Sequence, residues 1–415
     1  MSRFSGLELR SLSINTFMQF LVRIISSTST LFTTLFITYF LGLEAVGSFT
    51  KVVAFVSLFY IFIDFGFNSI FLKKYFKDFE KNLGNLVVLR LSISIILIPI
   101  VASLAFILPH NNLAGTGFSP IEKVGLFIYS FTLIATSLSN TLQALLQKRL
   151  SYSLSVFPSF ISSIFLILVV LFSVYSGNFL LLFVAYILST SINTIFTYIA
   201  LKQRQAFTLR LHNLPTFAKE MLYAAWPLGL MLGFNLLYAR ADIFLLTFLK
   251  PTTDVGIYGI SYRFFEITLA IPAFLANSTY PLLLKEADDK KKYTALFFKY
   301  FKLYAVLSLV AMIGIITLSP LIGFLGKSFS LSVAPLQLLS LSLPFFFMTS
   351  LLQWHFLIKG KVKMLVPLYV FVLAMNVLLN LYLIPQFSYN AAAVTTGVSE
   401  GLVFLFMLWY FKRVN

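Results

Sequence analysis

An arginine and an aspartate stand two residues apart in the otherwise apolar stretch LLYARADIFLLTFL, which runs from Leu236 to Leu249. The guanidinium of Arg240 can hold an anion through several N–H donors, and the carboxylate of Asp242 can bind a proton or a sodium ion. Residues two apart on an α-helix point about 200° apart, so these two side chains cannot pair with each other. Each is therefore expected to contact a partner on another helix.

Other charged residues occupy apolar segments at matching depths. Arg263 and Glu266 are placed close to the expected depth of Arg240, and Arg23 and Asp64 stand at similar distances from the inner ends of two earlier segments. A charge at the centre of a bilayer costs roughly 2.5–3.5 kcal/mol, so it should face a cavity or a partner. We predict two acid–base clusters, one of Arg240 with Arg263 and Glu266, the other of Arg23 with Asp64.

Polar residues share helical faces with these charges. By helical spacing, the amide of Gln19 lies on the same helix face as Arg23, that of Asn68 on the face of Asp64, and that of Asn235 on the face of Asp242. Glu400 stands in the middle of an apolar segment and is a candidate for coupling to an ion. Arg90 is interpreted as an arginine whose side chain reaches the membrane surface. The alternative for any one of these residues is structural: a salt bridge or a hydrogen bond between helices.

The composition predicts a polytopic α-helical membrane protein. The 415 residues are 59% hydrophobic and only 11% charged, whereas soluble domains carry roughly 25% charged residues. Apolar runs long enough to cross the hydrocarbon layer recur throughout. We predict twelve spans, at about 14–40, 46–72, 83–109, 119–146, 151–175, 179–201, 221–249, 255–284, 293–318, 332–357, 364–385 and 389–411.

The connecting segments alternate in charge along the chain. Lysine and arginine concentrate in every second connection, whereas the turns near Gly42, His110, Gly177 and Pro385 carry neither residue. The positive-inside rule assigns the basic connections to the cytoplasm. We therefore predict a multi-pass protein of the cell (inner) membrane with both termini cytoplasmic. The N-terminus lacks the pattern of a removable signal peptide.

A weak internal repeat predicts two halves of six helices. Val46-Gly47 recurs as Val255-Gly256, 209 positions later, and Leu145-Leu146-Gln147 recurs as Leu351-Leu352-Gln353, 206 positions later. The predicted organisation is an N-lobe at 1–201, a cytoplasmic linker at 202–219 and a C-lobe at 220–415. An even number of spans per half gives both halves the same orientation, as in transporters with parallel repeats.

Signatures of catalysis are missing from the sequence. It has no cysteine, three histidines, no glycine-rich phosphate loop and no nucleophile elbow. We expect no enzyme activity, no cofactor and no bound metal. The net charge of +17 comes from lysines and arginines in the connections between the predicted spans, where the positive-inside rule accounts for them. No nucleic-acid partner is therefore expected.

Several motifs resemble those of the Wzx-type polysaccharide flippases, which include O-antigen flippases, of the multidrug/oligosaccharidyl-lipid/polysaccharide (MOP) exporter superfamily. The resemblance covers nearly the whole chain. It rests on Leu41–Gly47, Asp64-Phe65-Gly66, Arg240-Ala241-Asp242, Val255–Tyr258, Ser261-Tyr262-Arg263, Asn376–Asn380, Leu383-Ile384-Pro385 and Ser399-Glu400.

The resemblance implies two six-helix lobes in a V and transport by alternating access. The implied substrate is an oligosaccharide on a polyprenyl diphosphate, moved from the inner to the outer leaflet. The arginines Arg23, Arg240 and Arg263 would then bind the diphosphate, and Gln19, Asn68 and Asn235 the sugars. Asp64, Asp242, Glu266 and Glu400 would bind H⁺ or Na⁺ or form salt bridges. We expect a monomer surrounded by membrane lipids that works with polysaccharide polymerase or assembly proteins.

Two alternatives remain open. A drug/cation antiporter of the same superfamily would share the twelve spans, but acidic residues should dominate its cavity, whereas four arginines lie in the spans here. A membrane scaffold or polymerase subunit would not need a repeat with paired buried charges.

Overall fold

The computed structural model describes residues 6–204, 207 and 209–414, and they are almost entirely helical. The α-helices are α1 Gly6–Ser57, α2 Tyr60–Asp64, α3 Phe67–Tyr75, α4 Phe79–Ile107, α5 Pro120–Ser130, α6 Thr132–Arg149, α7 Ser153–Tyr175, α8 Leu181–Arg204, α9 Leu214–Leu249, α10 Thr252–Thr268, α11 Ala270–Lys285, α12 Lys290–Leu318, α13 Lys327–Ser330, α14 Val333–Ser340, α15 Leu343–Ile358 and α16 Leu365–Val414. A two-residue hairpin pairs β1 His110–Asn111 with β2 Thr116–Gly117. Two 3₁₀ segments cover Ser319–Leu325 and Val362–Met364.

By length and composition, nine described helices could cross a membrane, or ten if the bent pair Lys327–Ser340 and Leu343–Ile358 forms one span. Two of these candidates cover far more residues than one crossing needs. The first is broken by Gly42, with φ 85°, and the last by Ser388, with φ 49°. Both breaks coincide with turns that the sequence predicts between consecutive spans. The polytopic helical fold is confirmed, and the count of twelve stays a prediction.

The chain divides into two compact units, one of Met1–Gly47 with Tyr238–Asn415 and the other of Ser48–Leu237. These units follow contacts in space and are not the sequence halves of the predicted repeat. The division at 202–219 stays a prediction, and residues 205, 206 and 208 of that linker lie outside the described residues.

The repeated Val-Gly motif meets its own copy in the first unit. A Cβ atom added to Gly47 would lie 1.9 Å from the carbonyl oxygen of Thr252, and one added to Gly256 would lie 2.3 Å from that of Leu43. Each glycine therefore faces the carbonyl four residues before the other glycine. Small residues allow helix backbones to approach this closely.

A lysine and a glutamate form a buried ion pair in the second unit. Lys51 Nζ lies 2.8 Å from Glu122 Oε1 and donates to the carbonyl oxygen of Gly117 at 2.7 Å, and both charged side chains are 1% exposed. Ser119 and Glu122 also form a capping box at the start of α5. These contacts fasten the β1–β2 hairpin and α5 onto α1.

The second predicted span is broken just after Asp64. Phe65 and Gly66 both adopt left-handed backbone conformations, with φ of 39° and 72°, and separate α2 from α3. Left-handed residues end a helix because they turn the chain out of the helical path. The motif Asp64-Phe65-Gly66 is therefore a helix break that places a carboxylate at its edge.

Candidate functional site

Two arginines share one glutamate in the first unit, as their predicted depths indicated. Arg263 Nη1 donates to Glu266 Oε2 at 2.9 Å, and Arg240 Nη2 lies 3.8 Å from Glu266 Oε1. Arg240 also lies over the ring of Tyr262, with 5.7 Å between the guanidinium carbon and the ring centroid. All three charged side chains are partly exposed, between 18% and 32%. They can therefore meet a ligand without leaving their positions.

Arg240 has unused hydrogen-bonding capacity. Its Nε is buried without a partner among the described residues, and its distance to Glu266 exceeds that of a hydrogen bond. A guanidinium presents five donors, and phosphate oxygens accept them in pairs. The arrangement can therefore accept an anion without first breaking a hydrogen bond.

Arg23 lies in the same unit, on α1. It is exposed and interacts electrostatically with Glu266. Phe20, one turn earlier, packs against Phe274 of α11 with 4.5 Å between ring centroids. Gln19 is half-buried on the neighbouring turn. This cluster of Arg23, Arg240, Arg263 and Glu266 therefore contains three positive charges and one negative charge, which leaves two positive charges.

Asp242 is almost completely buried, with 4% exposure. Its Oδ2 accepts hydrogen bonds from Tyr258 at 2.9 Å and Thr396 at 2.5 Å, and its Oδ1 accepts one from Asn380 at 2.9 Å. Asn376 accepts from Asn380 in turn. As predicted, Asp242 and Arg240 do not pair with each other and each has partners on another helix. Both contact α10, and Asp242 also contacts α16.

Glu400 is a second buried carboxylate, with 4% exposure. Its Oε1 accepts from Thr349 at 2.6 Å and its Oε2 from Tyr238 at 3.2 Å. In the described part of the chain, neither Glu400 nor Asp242 has a lysine, arginine or histidine within ion-pair distance. A buried carboxylate without a cationic neighbour is stable when it binds a proton or a cation.

Asp64 has a partner that the sequence did not predict. Arg90 Nη2 lies 3.7 Å from Asp64 Oδ1. Arg23 belongs to the first unit and Asp64 to the second, and the predicted pairing of these two stays a prediction. The prediction that Arg90 reaches the membrane surface is wrong, because its side chain is completely buried. Arg90 donates to the carbonyl oxygen of Ile63 at 3.0 Å and to Thr141 at 3.2 Å. It satisfies a carbonyl freed by the helix break, a role that spacing alone does not reveal.

The two remaining amides differ in environment. Asn68 donates to the carbonyl oxygen of Asn140 at 3.1 Å, while its buried Oδ1 has no partner among the described residues. Asn235 is exposed on α9. The neutral partners of Asp242 were not predicted from the sequence. The spacing of Asn376 and Asn380, four residues apart on one helical face, was the available signal.

Two solved transporter structures share this fold. The chain is similar to the lipid II flippase MurJ in an inward closed conformation, with a TM-score of 0.78 and 18% identity over 96% of this chain and 87% of that chain. It is also similar to an inward-facing multidrug resistance MATE family transporter of the MOP superfamily, with a TM-score of 0.73 and 15% identity over 96% and 98% of the two chains. The fold is that of MOP superfamily membrane transporters.

Sequence comparison then identifies the family. Residues 36–334 match the family described as polysaccharide biosynthesis protein, and the chain belongs to that family. It is 26% identical over 220 residues to a Shigella dysenteriae protein named "Putative O-antigen transporter". That similarity covers 51% of this chain and 53% of the relative, so the chain spans about half the length of the relative it matches. The chain thus belongs to a family described as polysaccharide biosynthesis proteins and shares its fold with solved transporters.

Proposed function

We propose that this protein carries a polyprenyl-diphosphate-linked oligosaccharide from the inner to the outer leaflet of the cell membrane. The observation that carries the proposal is the cluster of Arg23, Arg240 and Arg263 around a single glutamate within an apolar helical unit. A diphosphate needs fixed positive charge along its path, and partly exposed arginines supply it. The family of polysaccharide biosynthesis proteins supports the saccharide part of the substrate.

The roles of the polar residues follow from their exposure. Arg240 and Arg263 bind the diphosphate, either in place of Glu266 or together with it. Arg23 on α1 contributes a third positive charge. Gln19 is half-buried and Asn235 is exposed. Their amide groups donate hydrogen bonds to sugar hydroxyls and accept hydrogen bonds from them. Asn68 is assigned to the same task because its Oδ1 has no partner among the described side chains.

The transport cycle is coupled to an ion at Asp242, with Glu400 as a second candidate. Both carboxylates are buried among neutral hydroxyl and amide groups, which suit a proton or a sodium ion. Glu266 and Asp64 are weaker candidates because each already has an arginine nearby. They are assigned to salt bridges that hold the arginines when no substrate is bound.

Reconstitution in liposomes tests the function directly. The full chain is incorporated with a polyprenyl-diphosphate-linked oligosaccharide in one leaflet, and its appearance in the other leaflet is followed under separate H⁺ and Na⁺ gradients. We expect a gradient to drive accumulation, and Asp242→Asn to abolish the gradient dependence while passive exchange continues. Glu400→Gln is compared in the same assay, because it is also isosteric and buried.

Two results would contradict the proposal. Equal transport with every gradient collapsed would remove the ion coupling and leave passive exchange of the lipid. Export of cationic dyes with no movement of the lipid-linked sugar would identify a drug/cation antiporter, the alternative that the superfamily contains. The buried, unpaired carboxylates are the feature of the site that this alternative shares.

A further inference from the structure

A polar face in the second unit consists of Asp64, Asn68, Thr136, Asn140 and Gln143, which lie on α2, α3 and α6. Thr136, Asn140 and Gln143 share one side of α6, because residues three and four apart are neighbours on a helix. Gln143 is exposed, and Thr136 and Asn140 are half-buried. Polar side chains within a membrane span face water or a polar ligand rather than hydrocarbon. The polar face therefore borders an aqueous path.

Hydrogen bonds fix α2 and α3 beside this side of α6. Tyr60 OH on α2 lies 2.8 Å from Thr132 Oγ1, one turn before Thr136. Asn68 Nδ2 on α3 donates to the carbonyl oxygen of Asn140 at 3.1 Å. These two contacts join the polar side chains of the three helices into one continuous face.

Asp64 gives the polar face an accessible negative charge. Its side chain is 46% exposed, whereas that of Arg90, 3.7 Å away, is completely buried. Arg90 also donates to Thr141, the residue that follows Asn140. A ligand on the polar face would therefore meet the carboxylate of Asp64 and the neighbouring amides, but not the guanidinium behind them.

The other cations of this region are also out of reach. In the described part of the second unit, the predicted spans contain three cationic residues, which are Lys51, Arg90 and Lys123. Lys51 is buried in its ion pair with Glu122. Lys123 lies at the outer end of its span and donates to the carbonyl oxygen of Phe106 at 3.4 Å. The second unit thus presents hydrogen-bonding groups and a carboxylate, without an exposed cation deep in a described span.

The positive charge of the first unit is matched by the diphosphate of the proposed substrate. Arg23, Arg240 and Arg263 exceed Glu266 by two charges. A diphosphate diester carries one negative charge on each of its two phosphates at neutral pH. The lipid-linked head group therefore neutralises this excess, and an acidic sugar attached to it would gain no further cation from the cluster.

We infer that the transported saccharide is uncharged, and that the polar face determines this selectivity. The inference rests on the proposed function and narrows its substrate class. Amide and carboxylate groups form hydrogen bonds with sugar hydroxyls, whereas the carboxylate of Asp64 repels the carboxylate of an acidic sugar. Asp64 lies eight residues from the inner end of its predicted span, at residue 72, and Asn140 lies six residues from residue 146. The predicted topology thus places the polar face where the substrate enters.

Three matched probes test the inference in liposomes that contain the full chain. Each probe is a polyprenyl diphosphate that carries N-acetylglucosamine followed by glucose, by glucuronic acid or by glucuronamide. Glucuronic acid has a carboxylate in place of the hydroxymethyl group of glucose, and glucuronamide has the same shape without the charge. We expect the glucuronic acid probe to be transported about tenfold more slowly than the other two, because like charges placed together disfavour binding.

The wild-type chain alone separates the possible outcomes. Equal transport of all three probes would overturn the inference and leave the proposed function standing. Equally slow transport of the glucuronic acid and glucuronamide probes would also overturn it, because shape and not charge would then set the selectivity. If the chain transports none of the probes, the proposed function fails and the inference fails with it.

Variants of the polar face provide a second measurement. Asp64→Asn removes the exposed charge, and we expect the ratio of glucose probe to glucuronic acid probe to fall toward one. This ratio is measured within one variant, so a smaller amount of folded protein does not alter it. An unchanged ratio would overturn the role of the carboxylate.

Gln143→Ala tests the amides of the polar face. We expect slower transport of the glucose probe, because a hydrogen-bonding partner of the sugar is lost. Gln203→Ala is the matched control, since Gln203 is also exposed but lies at the cytoplasmic end of α8. Transport is compared at equal amounts of folded protein. Equal rates for the two variants would exclude Gln143 from saccharide recognition.

Discussion

At the scale of residues, Glu266 has two arginines within ion-pair distance, while Asp242 has none among the described residues. The number of charged partners determines how well the structure tolerates the loss of one of them. Removal of Arg240 or Arg263 leaves Glu266 with the other arginine, so the glutamate keeps a cationic neighbour. A change at Arg90 has no such compensation, because its contacts with Asp64 and with the carbonyl of Ile63 come from one side chain.

We therefore expect Arg240→Gln and Arg263→Gln to fold and to lose transport. A charge-assisted hydrogen bond contributes about 1.5–3 kcal/mol, so the loss of one should lower transport of the lipid-linked sugar about 10- to 100-fold. Membrane levels and unfolding temperature should match those of the wild type. Normal transport in both variants would exclude these arginines from substrate binding.

Arg90→Leu should behave in the opposite way. The change leaves the carbonyl of Ile63 without its donor and Asp64 without its neighbouring cation. A buried acceptor left without a donor costs about 1–3 kcal/mol. The expected result is less folded protein in the membrane and a lower unfolding temperature in detergent. A variant as stable as Arg240→Gln would show that Arg90 does not hold the helix break.

The sequence predicted the Glu266 cluster and missed the role of Arg90 for a physical reason. Helical periodicity and distance from a span end give the depth and face of a side chain, which was sufficient for Arg240, Arg263 and Glu266. Neither quantity shows which neighbouring helix covers that face. Arg90 lies near a span end, but its guanidinium contacts α2 and Thr141 of α6, and this burial depends on tertiary packing.

At the scale of elements, the close contact of Gly47 and Gly256 controls how α1 and α10 pack. The carbonyls of Thr252 and Leu43 leave no room for a methyl group on either glycine. Backbone atoms cannot rotate away as a side chain can, so any substituent must separate the helices.

Gly47→Ala and Gly256→Ala should each destabilise the protein, and Gly314→Ala should not. Overpacking costs about 1–3 kcal/mol, while Gly314 lies on α12 with nothing within 4 Å of an added Cβ, where alanine favours the helix by about 1 kcal/mol. Thermal unfolding in detergent measures the difference. Equal unfolding temperatures for Gly47→Ala and Gly314→Ala would mean that the close contact is absent in the membrane.

The repeated motifs were visible in the sequence, but the contact between the two Val-Gly copies was not. Matching motifs 209 positions apart predicted similar elements, and the burial of Leu145, Leu146, Leu351 and Leu352 agrees with equivalent environments. A repeat does not indicate whether its copies touch. The break after Asp64 was equally hidden, because phenylalanine gives no sign of a left-handed backbone.

At the scale of the whole molecule, orientation determines the direction of transport. The basic connections predict that both termini and the 202–219 segment face the cytoplasm. Because the natural chain has no cysteine, single cysteines can be introduced without first removing others.

A cysteine at Asn178 or Gln386 should react with a membrane-impermeant maleimide in intact cells, and one at Gln203 should react only after the membrane is opened. Asn178 and Gln386 belong to connections with few basic residues, while Gln203 belongs to a basic one. The reverse pattern would overturn the topology and the proposed direction of transport.

The buried pair of Lys51 and Glu122 also gives the protein an internal chemical reporter. An acylating reagent modifies only an amine that it can reach, and Lys51 is 1% exposed while its ion pair and its bond to Gly117 persist. Acylation at this lysine therefore requires local opening of the structure. Mass spectrometry of Lys51 over time would measure how often the hairpin and α5 detach from α1 in the native membrane.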